Sequence, residues 1–238
     1  MDAVYVCRDG ENPELRYSLR TLANVNHDRV WVFGGAPKWL NTDTVTHRLR
    51  KQEGGSRFAS TRGHITAARN DPEVSDPFML WNDDFYAMEK ISPIPIYHRG
   101  LLVDQIRERD SHRTPWVMGL RATAGLLKKH GMLDGALSYD LHVPLIIHKA
   151  GMLEAFELAK RASAREFHPR TLYGVIAGIG GEEHIDPKIE RKTDPFPCSP
   201  WLSSSPNTFR PTVEPVLRYL FSEPSQYEQP PRAATPHP

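Results

Sequence analysis

Residues 76–86 read Asp-Pro-Phe-Met-Leu-Trp-Asn-Asp-Asp-Phe-Tyr. Four consecutive apolar residues, 78–81, stand between a proline and a polar run, a pattern typical of a strand buried on both faces of a mostly parallel sheet. The strand would end at the adjacent carboxylates Asp83 and Asp84. Because ligands of open α/β sheets bind outside the carboxyl ends of the strands, both side chains are expected to reach a ligand. A plain Asn-Asp-Asp turn would have no such role, and this stretch alone favours neither interpretation.

The two carboxylates indicate a particular kind of ligand. Their hard oxygen atoms suit Mg²⁺ or Mn²⁺, and such an ion commonly joins a site carboxylate to the phosphates of a nucleotide substrate. The functional interpretation therefore predicts a divalent cation, Mn²⁺ or Mg²⁺, as the cofactor.

The beginning of the chain predicts the architecture around this strand. Residues 3–7 and 29–33 are rich in β-branched and aromatic residues and predict two further strands. Between them, Asn12 is a good N-cap, Pro13 suits the first helical position, and an apolar helical stripe begins at Leu15. A strand–helix–strand order implies a parallel pair. We therefore predict a single α/β domain with a Rossmann-like, mostly parallel sheet flanked by helices.

Length and composition set the limits of this domain. The 238 residues, 39% hydrophobic and 25% charged, fit one soluble domain, predicted over residues 1–222, while the proline-rich residues 223–238 predict a disordered tail. A formal charge of +1 gives no argument for a nucleic-acid partner. No apolar run approaches the ~18 to 20 residues of a membrane span, and the N-terminus lacks a signal-peptide pattern. Cys7 and Cys198 have no metal-type spacing, so a reducing cytoplasm is the expected location.

Two common nucleotide-binding signatures are missing from the sequence. The G-x-G-x-x-G fingerprint does not follow the first strand, and no G-x-x-x-x-G-K-[ST] run occurs. Gly34-Gly35 could let backbone approach a phosphate, although glycines after a strand more often form only the turn. A dinucleotide-dependent oxidoreductase and a P-loop enzyme are both disfavoured.

Three further side chains are candidates for the site. Arg69, at the end of a predicted helix over residues 56–70, could pair with a phosphate, and the alternative is a solvated helix-end arginine. Asp140 and His142 are two apart, so in an extended segment both would point the same way. Either could be a third metal ligand, a general base or a contact to phosphate, or the histidine could be purely structural.

Four blocks of the sequence together resemble a known family. Arg8-Asp9-Gly10 with residues 14–20 resembles the start of the Stealth family of bacterial capsular polysaccharide phosphotransferases and related phage or bacterial glycosyltransferases. Residues 80–85 look like the family's Leu-Asn-Asp-Asp block, His142-Val143-Pro144 is similar to its His-x-Pro block, and residues 201–205 resemble a C-terminal segment. The blocks occur in the same order over about four-fifths of the chain.

Residues 67–70, together with the carboxylates, also resemble the broader GT-A glycosyltransferase pattern. This resemblance implies a GT-A-like fold and a metal-dependent hexosyl transfer from a nucleotide sugar, expected to be a UDP-sugar, to a glycan or protein hydroxyl. It makes Asp84 the first metal ligand, Asp83 a residue that contacts metal or donor sugar, and His142 a further ligand. The donor-binding residues that it implies are Arg8, Asn12, Arg69 and Asn82.

The expected mechanism concerns the charge on the leaving group. Cleavage of a nucleotide sugar leaves a nucleoside diphosphate, whose developing negative charge a metal held by Asp84 can stabilise, with Arg69 as a possible supplement. Asp83 beside it is a candidate catalytic residue. If transfer inverts the anomeric centre, a base must deprotonate the acceptor hydroxyl, and Asp140 is the candidate. The motif is Asn-Asp-Asp rather than Asp-x-Asp, and the chain is shorter than typical Stealth proteins, which favours glycosyl over sugar-phosphate transfer.

Three other functions remain open at this point. A Stealth-type sugar-1-phosphate transferase would make a phosphodiester instead of a glycoside. A non-catalytic module could bind a nucleotide sugar or glycan without turnover. A metal-dependent nuclease could use the carboxylates with Glu89 and Lys90, but these adjacent side chains would point in opposite directions along a strand, and the neutral net charge does not suit a polyanionic substrate.

Overall fold

A computed structural model describes residues 1–51, 57–109 and 111–230. The strands are β1 (Asp2–Cys7), β2 (Val30–Gly34), β3 (Val45–Leu49), β4 (Phe78–Asn82), β5 (Phe85–Ala87), β6 (Tyr97–His98), β7 (Leu145–Ile147), β8 (Glu182–Glu183), β9 (Lys188–Ile189) and β10 (Trp201–Ser204). The α-helices are α1 (Pro13–Thr21), α2 (Arg57–Asn70), α3 (Leu102–Arg107), α4 (Pro115–Lys129), α5 (Lys149–Arg161), α6 (Pro169–Ile176), α7 (Pro206–Thr208) and α8 (Glu214–Leu220). A 3₁₀ turn, Leu22–Asn24, extends α1, and a π-helical turn, Phe209–Val213, joins α7 to α8.

The central sheet has five strands in the order β3-β2-β1-β4-β7. The first four are parallel, and β7 runs antiparallel to β4. Cys7 pairs with Gly34, and Val6 with Asn82, so β1, β2 and β4 end together. The residues that follow these strands therefore meet at one edge of the sheet. The prediction of an α/β domain with a mostly parallel sheet is confirmed.

Both faces of this sheet are buried, as the apolar run in β4 predicted. Val4 and Val6 face one cluster with helices α2, α4, α5 and α6, while Tyr5 and Trp81 on the other face belong to a cluster that includes α1 and Trp201. Tyr5 stacks on Trp81 with ring centroids 5.5 Å apart. Burial on both faces explains why β4 reads as a continuous apolar run rather than an alternating one.

A smaller sheet supports the end of β4. Its strand order is β5-β10-β9, with β10 antiparallel to β5 and parallel to β9. Residues 201–204, which the sequence placed in a C-terminal motif, form the buried middle strand β10. A separate two-stranded pair joins β6 and β8. The chain segment immediately after the two carboxylates, β5, is therefore held by its pairing with β10.

Gly34 and Gly35 allow the ends of β1 and β2 to approach closely. Gly34 has φ +124°, and an added Cβ atom would lie 2.1 Å from the carbonyl oxygen of Cys7. A Cβ atom on Gly35 would lie 2.6 Å from Cα of Asp9. Both glycines are needed for backbone packing, which is the turn interpretation of this pair.

Part of the predicted tail packs against the domain. Tyr227 is buried, and the amide of Asn41 donates to its carbonyl oxygen at 2.8 Å. Glu228 accepts from Nε and one terminal nitrogen of Arg20 at 2.7 and 2.9 Å. Residues 223–230 thus close over α1 and the β2–β3 connection, and residues 231–238 lie outside the described residues. Within the described part of the chain, no helix combines the length and the apolarity needed to span a bilayer.

Candidate active site

A cleft of about 880 Å³ opens at the edge where β1 and β4 end. Its walls come from the residues after these strands, the first half of α2, the beginnings of α4 and α6, and the segment around β9. We call Glu14, Asp83 and Asp84, with Arg8, the acidic half of this cleft. We call Arg99, Arg109, His168, Arg170 and Lys188 the basic half.

Asp83 is held by two residues from the loop after β1. Its Oδ2 atom accepts a hydrogen bond from Nδ2 of Asn12 at 2.7 Å and lies 3.6 Å from Nε of Arg8. Asn12 caps α1 in a left-handed conformation, with its side-chain oxygen accepting from the amide of Leu15 at 3.4 Å. Arg8 also pairs with Glu14 at 2.6 Å. The N-cap of the first helix thus positions a carboxylate that is distant in sequence.

The adjacent carboxylates repel each other in this enclosed place. Burial and the charge of Asp84 raise the pKa of Asp83 to about 7, although Asn12 and Arg8 favour its ionised form. Within the described residues, Asp84 has one weak hydrogen bond, which its Oδ2 atom accepts from Oγ of Ser203 at 3.4 Å. A divalent cation would relieve this repulsion, and the hard carboxylate oxygens suit Mg²⁺ or Mn²⁺. The chemistry of this pair therefore fits a cation.

His142 lies between a carboxylate and an ammonium group. Its Nδ1 atom lies 2.9 Å from Oδ2 of Asp186, and its Nε2 atom lies 2.9 Å from Nζ of Lys188. Because an ammonium group only donates hydrogen bonds, Nε2 accepts and Nδ1 donates. Both ring nitrogens of a neutral His142 are thus engaged. Across the described residues, no group of three or more His, Cys, Asp or Glu side chains is arranged to hold a metal ion.

Asp140 forms an ion pair inside the basic half. Its Oδ2 atom lies 2.8 Å from Nδ1 of His168 and accepts a hydrogen bond from Nε1 of Trp116. The other ring nitrogen of His168 lies 2.9 Å from the carbonyl oxygen of Trp116. A carboxylate and a carbonyl both accept, so His168 donates from both nitrogens and is held as an imidazolium ion.

This pairing changes the predicted role of Asp140. Burial by itself would raise the pKa of Asp140, but the charge and hydrogen bond of His168, with the positive charge of Arg170, hold that pKa well below its usual range. A general base is most effective when its pKa lies near the working pH. The geometry therefore makes Asp140 a weak proton acceptor and a strong hydrogen-bond acceptor.

Arg170 fixes the segment that carries these residues. Its two terminal nitrogens donate to the carbonyl oxygens of Leu141, at 2.7 Å, and of Val143. Its guanidinium carbon lies 5.6 Å from the centre of the Phe85 ring. Burial lowers the pKa of Arg170 to about 10, against the charges of nearby carboxylates. It stays a cation and joins α6 to the segment between Asp140 and β7.

The structure brings most of the predicted site residues together. Those that line the cleft, or in the case of Asn12 contact a lining residue, are Arg8, Asn12, Asn82, Asp83, Asp84, Asp140 and His142. Glu89 and Lys90, the remaining members of the nuclease hypothesis, are exposed and do not line it.

Arg69, which the resemblance implies as a donor-binding residue, is the exception, because it does not line the cleft. Its guanidinium lies 5.2 Å from the centre of the Phe156 ring and donates to the carbonyl oxygen of Met152 at 3.4 Å. Helix α2 connects two parallel strands, so it runs back from the carboxyl edge of the sheet to the amino edge. Its last turn therefore lies away from the cleft, whereas Arg62, two turns earlier, lines it.

The basic half was missed by the sequence analysis. Asp186 and Lys188 fall in a charged segment, residues 182–188, that matches no motif used in the sequence analysis, yet both contact His142. Asp186 also pairs with Arg99 at 3.2 Å. The partners of each pair are more than 40 residues apart in sequence. Local patterns contain no signal for such contacts, because these side chains meet only after the sheet and its helices assemble.

The central sheet is mostly parallel, with antiparallel β7 beside β4, and the acidic motif at the end of β4 lies inside the cleft. Among solved structures, the chain is similar to the galactosyltransferase LgtC, crystallised in complex with donor and acceptor sugar analogues. The TM-score is 0.50 at 12% sequence identity, over 95% of this chain and 85% of LgtC. At this identity the likeness establishes the fold, and no protein-family model and no curated protein matches the chain.

Proposed function

We propose that this protein is a glycosyltransferase that moves a sugar from a nucleotide-sugar donor to an acceptor hydroxyl on a glycan or a protein. The observation that carries the proposal is the pair Asp83 and Asp84 at the end of β4 within a cleft large enough for a nucleotide sugar. The GT-A-like fold supports it, because ligands of such sheets bind at this edge.

The donor would lie across the acidic half. Arg8 and Asn12, which already contact Asp83, come from the loop between β1 and α1 and are suited to the ribose or base. Asn82 is the last residue of β4 and lines the same wall. We propose these three as donor-binding residues, with UDP as the first nucleotide to test.

Asp84 and Asp83 would hold a Mn²⁺ or Mg²⁺ ion together with the donor phosphates. When bound, such an ion neutralises negative charge that develops on the leaving diphosphate. His142 does not need to be a ligand, because its Nε2 atom holds the ammonium group of Lys188. That ammonium group lines the cleft and brings a second positive charge toward the diphosphate.

Asp140 would orient the acceptor instead of removing its proton. Both of its hydrogen-bonded neighbours, His168 and Trp116, use the Oδ2 atom. In the described part of the chain, nothing hydrogen-bonds to Oδ1, and the side chain is 23% exposed. A sugar hydroxyl could donate to that oxygen.

The first test is a thermal-shift panel with UDP-, GDP-, TDP- and CMP-linked sugars, each with Mn²⁺ and with chelator. A ligand that binds only the native state raises the apparent stability by mass action. We expect a metal-dependent shift with one nucleotide, and loss of that shift in Asp84→Asn. If none of the donors shifts the melting temperature, the proposed function is wrong.

Product analysis then separates the alternatives. From a UDP-, GDP- or TDP-sugar, glycosyl transfer releases a nucleoside diphosphate, and a Stealth-type sugar-1-phosphate transfer releases a nucleoside monophosphate. A non-catalytic binding module would show the thermal shift with no nucleotide released. The chemical identity of the released nucleotide therefore decides among all three functions in one experiment.

A further inference from the structure

The basic half contains a second place suited to an anion, apart from the carboxylate pair. Arg99 and Arg109 both line the cleft, and their guanidinium carbons lie 5.6 and 5.3 Å from the centre of the Trp116 ring. Stacking on an aromatic ring fixes a guanidinium group while leaving its N–H edges available. The indole nitrogen of Trp116 is in turn held by Asp140.

Each of these two guanidinium groups uses one terminal nitrogen for its contacts. In Arg99, NH1 lies 3.2 Å from Asp186 and 3.5 Å from the carbonyl oxygen of Asp140. In Arg109, NH1 donates to two oxygen atoms of Gln105 and to Glu108 at 3.0 Å. In residues 1–51, 57–109 and 111–230, no group hydrogen-bonds to the Nε or NH2 atoms of either arginine. Those two atoms form the fork that binds a carboxylate or a phosphate through two hydrogen bonds.

The surrounding charges also favour an anion. His168, held as an imidazolium ion behind Trp116, adds a third positive group. Among the described residues, the carboxylates that pair with these cations are Asp140 and Asp186, with Glu108 at the rim, where its side chain is 60% exposed. Solvent screens the charge of the exposed Glu108, so its attraction for Arg109 is weaker than that of a buried carboxylate. The arginines are themselves mostly buried, at 19% and 24% exposure.

We infer that the acceptor carries a negatively charged oxyanion, a phosphate or a carboxylate, which binds to Arg99 and Arg109 beside Trp116. That this ligand is the acceptor rests on the proposed function. That it is an anion rests on the geometry of the two guanidinium groups. The free Oδ1 of Asp140, which lies on the same side chain that holds Trp116, would receive a hydroxyl of the same acceptor. Acceptor charge and acceptor hydroxyl would thus be recognised by neighbouring groups.

The test is a binding experiment on the full chain saturated with Mn²⁺ and UDP. Glucose, glucose 6-phosphate and glucuronate are titrated by calorimetry, so that a neutral sugar, a phosphate and a carboxylate share one ring. We expect one charged sugar to bind at least tenfold more tightly than glucose, since hydrogen bonds between charged partners contribute more than neutral ones. The preferred sugar separates phosphate from carboxylate recognition.

Two matched variants locate the effect. Arg109→Gln should abolish the preference for the charged sugar, with less than a twofold change in UDP affinity. Arg107→Gln removes the same charge from an exposed position on α3 that pairs with Asp104 and does not line the cleft, and it should keep the preference. Equal affinities for all three sugars, no binding of any of them, or loss of preference in both variants would overturn the inference.

Two further outcomes concern the donor. If glucose 6-phosphate competes with UDP, the two arginines belong to the diphosphate site and the inference is wrong. If the chain binds a charged sugar through Arg109 but no nucleotide sugar, the proposed function fails while the anion site stands.

Discussion

The acidic and basic halves of the cleft are built from different kinds of contact. Asp83 and Asp84 follow directly from β4, and Arg8 and Asn12 from β1, so the parallel register of two neighbouring strands brings them together. The basic half joins α4, α6, β9 and the loops between them, over gaps of tens of residues. The acidic half is therefore visible in the sequence as a motif, and the basic half is visible only in the structure.

The two halves also differ in the charge of the ligand that each would bind. In the acidic half, burial and the adjacent charge of Asp84 raise the pKa of Asp83 to about 7. In the basic half, Arg170 donates to a carbonyl oxygen and Lys188 donates to a neutral histidine. Arg99 packs over the ring of Trp116, and carboxylates pair with some of these cations. One half would gain a cation and the other an anion on binding, which is the complementarity that a charged two-substrate site requires.

Substitution of Asp84 should have the largest effect on activity. Asp84→Asn keeps the size and the contact with Ser203 but removes the charge that we propose binds the metal. We expect turnover of the donor to fall about a thousandfold, roughly 4 kcal/mol of transition-state stabilisation, with no fall in the melting temperature, because the variant also relieves the repulsion of Asp83. Released nucleoside diphosphate and circular dichroism measure the two quantities. Full activity in this variant would show that Asp84 is not part of the active site.

Substitution of His168 should instead act on stability. His168→Gln removes the cationic partner of Asp140, and loss of a buried partner of this kind is expected to lower the free energy of unfolding by about 3 kcal/mol. Urea denaturation at pH 6 gives the value.

The same pair has a pH signature. Burial opposes the charge on His168, but Asp140 raises its pKa above the ordinary value. Stability from a raised histidine pKa is complete below about pH 6.5, the unfolded value, and is lost as pH rises through the folded pKa. The free energy of unfolding of the wild type should therefore fall above pH 6.5. A His168→Gln variant with the same fall would assign it to another group.

Asp83 should give a smaller change with a different pH window. Because burial and Asp84 raise its folded pKa to about 7, the folded state binds a proton more tightly than the unfolded state, whose pKa is about 3.9. In chelator, the free energy of unfolding should fall between pH 4 and 7. Asp83→Asn, which can still accept from Asn12, should remove that fall and gain about 2 kcal/mol at pH 8. A steeper fall in the variant would contradict the assigned repulsion.

Substitution of Arg69 should have almost no effect on donor turnover. It tests whether the donor contacts the acidic half of the cleft and not the end of α2. Its guanidinium packs on Phe156 at the opposite edge of the sheet. Arg69→Ala is expected to change donor turnover less than twofold, whereas Arg8→Ala, which removes a contact to Asp83, should raise the donor KM about tenfold. Steady-state kinetics of both variants would show whether the donor contacts this end of α2 after all.

The sequence predicted a residue's position where that position depends on its immediate neighbours in the chain. The cap at Asn12 and the end of β4 at Asn82 were predictable, because capping and burial patterns act within a few residues. The position of Arg69 was not, because a helix-end arginine has the same local pattern at either edge of a sheet.

By itself, the sequence determined a mostly parallel α/β sheet whose buried strand delivers two carboxylates to its carboxyl edge. Strand periodicity and helix caps depend only on residues close together in the chain, so the sequence specifies them directly. Only the tertiary structure decided that His142 holds Lys188, that Asp140 holds His168, and that Arg99 faces Trp116. Such pairings depend on where distant segments meet in space, which hydrophobic burial of the whole sheet fixes and no local pattern encodes.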